Sequence, residues 1–514
     1  MTIWQEILAT AVVGTERQEL SLPLEKDEIG RVLSGLDVSD REGALLRAAA
    51  VVSLYRRSGF RPLADAHSPA EVCEKEETEA CSSEASQHLA LMLAGEFKEA
   101  LPEWLTALGS ARRRVPEEHL PALLDKGQTE QGLRPLILPV IGSRGRWLAS
   151  QNSAWQWAAA RDESEVWETG SRDERLFLLR QLRAADPTRA RELLSATWNA
   201  EAAKDRQTFL ETFISRMSDT DEPFLSEALR DRSAEVRRTA GELLLRLPSS
   251  RLRRRVSERV SALLSYQRPK LGKAKLEVSL PDDVESWQKE GGLDLEVPPA
   301  GTTQKSLGKK GWWLLHAVSW VHPSTWCRAW NKKPAEVLEA ARNSEWKEAL
   351  LKGLVKAASR FADVEWIEAI LTDRQIREEN TQEANANYTE LAPRLPAERL
   401  EALILKELSG GKNGFRIEQP ALSLLLEHRR QWSDDLSRAV AACVKERISN
   451  ARKNDLLEWQ IKSALKQFAL YSSPARCDEL TTDWPADSEG WWRGAVEDFQ
   501  SCLRFRRDML RAMV

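Results

Sequence analysis

The sequence predicts an all-α protein, an α-solenoid of stacked antiparallel helix pairs in two helical halves joined by an irregular linker. Three observations predict it. Apolar residues recur with the 3.6-residue period of an amphipathic helix along most of the chain, and few segments alternate with the period of a strand. Between residues 172 and 265 the predicted helices are short and evenly spaced. A helix of that size buries its stripe poorly alone, so neighbours must pair and stack. The stretch 266–311 then breaks the rhythm with Pro, Gly and Lys before helical periodicity resumes.

The elements follow in order. Residues 1–60 predict two helices, with Ile3, Trp4, Ile7, Leu8 and Ala11 striping the first and Leu45, Leu46, Ala49 and Val52 the second. A polar, acidic connection occupies 61–85. Helices are predicted at 86–110 and 116–126, where Pro116 and Pro121 suit a first turn. The segment 136–155 starts apolar, turns at Gly142 to Gly145 and restarts as a helix near Arg146. The regular region predicts helices at 172–184, 187–199, 203–217, 222–231, 233–247 and 250–265. Asp186-Pro187, Asp221-Glu222-Pro223 and Leu247-Pro248-Ser249-Ser250 punctuate them. Within 266–311, LEVSL and LDLEV read as brief extended pieces. Stripes such as Leu350, Leu351, Leu354, Val355 and Ala358 make 312–514 helical again, with a break at Gly410, Gly411 and Gly414 and a terminal helix from about Ser488. The implied organisation is an N-terminal helical region (1–150), helical repeats (151–265), the linker (266–311) and a C-terminal repeat region (312–514).

Length and composition narrow the class. A chain of 514 residues exceeds one ordinary compact core. With 42% hydrophobic and 30% charged residues it is globular rather than disordered, and a net charge of -4 implies no global attraction to nucleic acid or membranes. No apolar run approaches the roughly 18 residues of a membrane span. The N-terminus lacks the basic start of a signal peptide, and six scattered cysteines suit a reducing cytoplasm. Trp (20) outnumbers Phe (11) and Tyr (4), as expected where large side chains bridge neighbouring helices.

Catalytic signatures are missing from the sequence: it holds no GxxxxGK[ST], GxGxxG, HExxH, GxSxG or paired CxxC. His67, Cys73, Cys81 and His88 cluster without finger spacing, so an acidic loop is expected there rather than a metal. His316 and His322 flank Trp320 with no carboxylate trio nearby, and Asp282-Asp283 reads as a turn. No enzymatic activity and no cofactor are expected.

Two local features point to binding. Arg144 and Arg146 flank Gly145 at a predicted helix N-terminus beside Trp147, a pattern that can hold a phosphate or carboxylate. Equally, Trp147 can pack in a structural corner while the arginines pair with the acidic loops. The second feature is the stretch 228–275. It holds fourteen Arg and Lys, among them Arg237, Arg238, Arg253, Arg254 and Arg255, against four Asp and Glu, a local net charge of +10. A basic strip on a solenoid can take a nucleic-acid backbone, as in helical-repeat DNA glycosylases, or an acidic protein; inter-repeat salt bridges are the plainer use.

Residues 221–260 resemble a HEAT repeat, through Phe224, Leu225, Ala228 and Leu229 on a first helix, then Asp231, Val236, Arg237, Ala240, Leu243, Leu244 and Leu247. The resemblance implies that such Asp and Arg residues bridge successive repeats, and it bears on architecture alone. More widely, TAVVGTER, LPEWL at 101–105, RVPEEHLPALLDKG at 114–127, GSRGRWLASQNSAW at 142–155 and the segment from Trp326 to Trp366 resemble a bacterial family of unknown function. Its genes lie beside those for a SWIM-type zinc-finger protein, a MoxR-type AAA ATPase and a von Willebrand A-domain protein. That resemblance implies a helical accessory subunit and supplies no catalytic residues. The expected function is therefore a non-catalytic scaffold or adaptor with protein partners, with nucleic-acid binding through the basic strip as the alternative.

Overall fold

Helices begin where capping chemistry falls in the computed structural model, which describes residues 3–22, 28–58, 72–159, 161–270, 272–282, 304–373, 375–376, 387–409, 417, 419–449, 456–485 and 490–513. The chain forms two compact units, 1–72 and 73–514. His67, Asp283, LDLEV and Gly410, Gly411 and Gly414 lie outside the described residues.

Unit 1 contains α1 (Ile3–Val13), α2 (Glu28–Ser34) and α3 (Arg41–Ser58). Ile7, Ile29, Leu33, Ala48 and Val52 form its core. The helix α2 was not legible from periodicity. Leu8 and Leu46, counted on the predicted stripes, are exposed.

Unit 2 opens with α4 (Ser83–Leu93), α5 (Leu101–Ser110), α6 (Leu120–Thr129), α7 (Arg134–Ile137) and α8 (Gly142–Gln151). The pattern at 86–110 predicts one helix, but the chain divides it. Gly95 and Phe97 both adopt positive φ, which ends α4 and starts a new turn. Leu89, Trp104, Leu108, Leu124 and Ile141 pack together as one core of this unit.

The regular region follows as α9 (Glu163–Thr169), α10 (Arg172–Ala185), α11 (Pro187–Thr197), α12 (Ala203–Glu211), α13 (Glu222–Ala228), α14 (Ala234–Arg246) and α15 (Arg251–Ser261). Ser171 and Glu174 form a reciprocal capping box on α10. Asp186, Ser233 and Ser250 accept backbone N–H bonds at the starts of α11, α14 and α15. Successive helices pack on one another, α10 on α11, α13 on α14 and α14 on α15, and α12 also reaches α14. Buried ion pairs tie them. Arg183 donates to both carboxylate oxygens of Asp221 at 3.1 and 3.0 Å, and Arg206 approaches Asp231 at 2.8 Å.

The described start of the stretch predicted as a linker takes part in a hairpin. The strands β1 (Leu264–Gln267) and β2 (Lys275–Val278) pair antiparallel, Leu264 opposite Val278. LEVSL, residues 276–280, overlaps the second strand, and the first strand straddles the predicted end of the helix at 265 and the start of the linker. Two contacts hold this hairpin: Asn343 donates to the Ala274 carbonyl at 2.8 Å, and Tyr266 lies 5.9 Å from the Trp330 ring.

The remaining helices are α16 (Gln304–Ser319, kinked at Gly308), α17 (Ser324–Trp330), α18 (Pro334–Arg342), α19 (Lys347–Phe361), α20 (Val364–Thr372), α21 (Ala397–Leu408), α22 (Gln419–Glu427), α23 (Asp434–Ser449), α24 (Leu456–Tyr471), α25 (Cys477–Thr481) and α26 (Arg493–Arg511). Gly353 lets α19 press onto α16, because a Cβ there would sit 2.9 Å from the Leu315 carbonyl oxygen. Two findings depart from the picture of separate halves. One core runs from Trp167 to Leu503, shared by residues on both sides of 266–311. The last helix, α26, returns to the first helices of the unit, where Phe505 and Met509 enter the core of α4 and α5. The chain is thus mostly helical as predicted, but unit 2 closes on its own beginning through α26. Among the described residues no helix is long and apolar enough to cross a membrane.

Candidate functional site

The helix α14 buries Val236, Ala240, Leu243 and Leu244. Arg238, Gly241, Glu242 and Leu245 then fall three, four and seven positions apart on an adjoining stripe, with Arg237 and Arg246 beside them. On α19 the same rule groups Lys356, Ser359 and Arg360, and His316 on α16 sits one turn before Trp320. These faces meet in a cleft of 310 Å³ in unit 2, completed by Leu229, Leu252, Glu390 and Arg394. Six cations, Arg237, Arg238, Arg246, Lys356, Arg360 and Arg394, thus confront two carboxylates, Glu242 and Glu390.

The carboxylates do not offset that charge. Glu242 lies 3.7 Å from Arg360, whose guanidinium also donates to the Ser319 carbonyl at 2.6 Å and to its hydroxyl at 3.0 Å. Arg237 donates to the Asp231 carbonyl at 2.9 Å and to the Arg232 carbonyl at 3.2 Å, which ties it to the turn before α14. Burial pushes the Arg246 pKa below its ordinary value, and the nearby Arg394 pushes it further, against the opposing pull of Glu242. The Arg246 Nε is buried with no hydrogen-bond partner. Leu229, Leu245, Leu252 and Trp320 give the cleft an apolar wall.

The predicted basic residues disperse. Arg237 and Arg238 line the cleft. Arg253 turns away, lying 5.3 Å over the Phe361 ring, with its pKa lowered first by burial and then by Arg328. Arg254 and Arg255 are exposed on α15. Sequence reasoning counted Arg246 in the basic stretch but did not single out Lys356, Arg360 or Arg394, and it set His316 aside. The cations of α19 carry a readable helical spacing, but only the packing of α14 near α16 and α19 makes it meaningful.

The second predicted site, at Arg144, Arg146 and Trp147, lies apart from the cleft on α8. Its N-terminus does hold an anion, supplied by the chain itself. The Glu76 carboxylate accepts from the Ser143 N–H at 3.1 Å and the Arg144 N–H at 2.6 Å. Gly142, at φ +63°, permits this approach, since a Cβ would meet Glu76 oxygen at 2.6 Å. Arg144 lies 5.9 Å over the Trp147 ring, and Arg146 borders a different cavity of 480 Å³ with Arg134 and Trp157. The corner thus joins α8 to the acidic segment.

The weighed metal candidates part company. Cys73 donates to the Glu74 carbonyl, and His88 packs edge-on against Phe505 at 5.2 Å. Among the described residues no three His, Cys, Asp or Glu side chains gather to hold a metal. His322 stands 3.5 Å from Asp363 with its pKa lowered by burial, against the pull of Asp363. All six cysteines are free, and burial raises Cys327 to about 11, Cys443 to about 12 and Cys502 to about 11, which keeps these thiols protonated.

No curated protein and no solved structure matches the chain. A family model does match, over residues 6–513, and on that extent the chain belongs to the family of unknown function DUF5691.

Proposed function

We propose that the protein is a non-catalytic scaffold whose HEAT-like helix pairs present the cationic cleft to an acidic partner protein. The cleft is the observation that carries this reading: positively charged side chains from α14, α19 and Arg394 line one cleft that opens to solvent. Such a surface attracts and orients an anionic group. The Arg206–Asp231 pair, linking α12 to the turn before α14, supports the HEAT-like reading. The family resemblance implies a MoxR-type AAA ATPase, a von Willebrand A-domain protein or a SWIM zinc-finger protein as partner.

The test is affinity purification of the tagged chain from its native host, beside a Lys356→Glu/Arg394→Glu variant. Both positions are exposed, so the fold tolerates the change. The wild type is expected to bring down a stoichiometric partner that the variant loses. A wild-type protein that stays alone sinks the proposal.

Nucleic-acid binding is the second reading, favoured by Arg251, Arg254 and Arg255 standing exposed on α15. It predicts binding to labelled duplex or single strands that weakens with salt and is lost on Arg254→Glu/Arg255→Glu. Equal binding by that variant removes it.

A further inference from the structure

Among the described residues four arginines are buried, and three of them hold a carboxylate. Arg183 pairs with Asp221 at 3.0 Å, Arg206 with Asp231 at 2.8 Å and Arg506 with Glu103 at 2.6 Å. Arg134, on α7, is the fourth. It is 5% exposed, and no carboxylate of the described residues stands within ion-pair distance of it. A guanidinium keeps its charge when buried and offers five N–H donors. One is used here: the Arg134 Nε donates to the Gly127 carbonyl at 2.9 Å. The Trp157 ring lies 5.1 Å from the guanidinium and holds its plane. The terminal nitrogens have no hydrogen-bond partner among the described residues. Burial pushes the Arg134 pKa below its ordinary value, and Asp173 and Glu174 pull against it without reaching ion-pair distance.

The missing acceptor has room to enter. Arg134 lines the cavity of 480 Å³ bordered by α7, α9 and α10, a volume inside the range of small-ligand sites, about 300–1,000 Å³. Leu138, Val166, Phe177 and Leu178 give it an apolar wall. Leu138 packs against the core of the first helices and Leu178 against the large core, while Phe177 packs against neither. A half-buried aromatic ring is thereby left to the cavity. Most other charges of the lining are paired within the chain. Arg161 donates to Glu165 at 3.1 Å and to Glu174 at 3.0 Å, and Glu163 pairs with Arg189 at 2.8 Å. Arg146 is exposed on α8, where water compensates it. A carboxylate brings one charge and two oxygens that match one guanidinium fork. Carried on an apolar body, it uses the arginine and the wall together.

We propose that this cavity binds a small monocarboxylic acid, whose carboxylate pairs with Arg134 and whose aromatic or aliphatic body lies against Leu138, Phe177 and Leu178. The inference does not depend on the scaffold reading, because the cavity shares no lining residue with the cleft of α14 and α19.

Calorimetric titration of the full chain with phenylacetate, hexanoate, acetate and phenylacetamide tests it. Acetate keeps the carboxylate without the body, and phenylacetamide keeps the body without the charge. The tighter of phenylacetate and hexanoate is expected to bind about tenfold or more tighter than acetate or phenylacetamide. Arg134→Lys keeps the charge but loses the fork, and is expected to weaken that acid by about tenfold. Phe177→Ala leaves the arginine and both cores in place, and is expected to weaken it by about fivefold or more. That second variant decides the matter if Arg134→Lys does not fold. Lys356→Ala/Arg394→Ala, on exposed positions of the other cleft, is expected to leave the affinity unchanged. The site is overturned by no binding of either acid, by acetate or phenylacetamide binding as tightly as the better acid, or by full affinity in Phe177→Ala. Loss of binding in Lys356→Ala/Arg394→Ala overturns it too, by placing the acid in the other cleft.

Discussion

Arg183 shows what a single buried charge does in this protein. Its side chain is fully buried, lies 4.3 Å over the Phe213 ring, and donates to the Asp221 carboxylate and to the Phe213 and Ser215 carbonyls. Arg191 adds a second cation to Asp221 at 3.0 Å. Burial alone raises the Asp221 pKa, but hydrogen bonds from Arg183, Ser218 and Arg191 outweigh it and hold the carboxyl below its ordinary range. Replacing Arg183 by Ala strands part of that charge, and is expected to cost about 3–5 kcal/mol in denaturant unfolding. Because Asp221 binds its proton more weakly folded than unfolded, its contribution is present above about pH 4 and is lost as pH falls through the lower folded value. His428 acts at milder pH. It is buried beside Glu401, whose carboxylate also accepts from the Ser433 N–H. Burial lowers its pKa against the pull of Glu401, with Arg430 adding to the lowering. The unfolded chain takes up this proton near pH 6.5 and the folded chain only at lower pH, so stability falls as pH drops below about 6.5. His428→Gln keeps a polar group facing Glu401 and is expected to flatten the unfolding free energy between pH 7 and 5; an unchanged slope refutes the assignment.

At the scale of elements, caps were the most legible feature. Asp186-Pro187 and the serine before α15 mark helix starts because a short polar side chain satisfies the first free N–H groups, and that chemistry is local. The cap on α8 was not legible in the same way. Its acceptor, Glu76, is 68 residues from the Arg144 N–H that it binds, in a segment readable only as acidic. The charge of that segment and the arginines of α8 were both visible, but their meeting depends on tertiary packing. Glu76→Ala is expected to cost about 0.5–2 kcal/mol in thermal unfolding, the range for a lost N-cap. Glu76→Gln should recover only part of it, since the amide accepts hydrogen bonds but brings no charge to the helix N-terminus. Full stability in both variants would mean that solvent replaces the cap without loss. The cleft has the same limit: α14 and α19 each carried a readable cationic face, separated by more than one hundred residues.

At the scale of the whole larger unit, the array of helices was legible and its closure was not. Periodicity reports that a helix has an apolar side; it does not report which helix covers that side. The helix α26 has two partners. Phe499, Cys502 and Leu503 enter the large core, while Phe505 and Met509 enter the core of α4 and α5. Phe505 stacks on Phe97 at 4.3 Å, and Ser82 donates to the Ala512 carbonyl. Arg506 locks the junction. Its guanidinium pairs with both Glu103 oxygens at 2.6 and 2.8 Å, and with the Ala469 and Ser472 carbonyls at the end of α24. A single side chain thereby ties α5, α24 and α26, elements drawn from the start and the end of unit 2. Replacing Arg506 by Ala leaves Glu103 without its bidentate partner and two buried carbonyls without donors, a loss of about 3–5 kcal/mol on the scale of other buried pairs. Its location predicts more than a number. If α26 joins the two cores, hydrogen-exchange protection should fall together in α4, α5, α24 and α26, with α10 to α14 less affected. Loss confined to α26 would show instead that the terminal helix is an appendage, and that the first helices of the unit hold together without it.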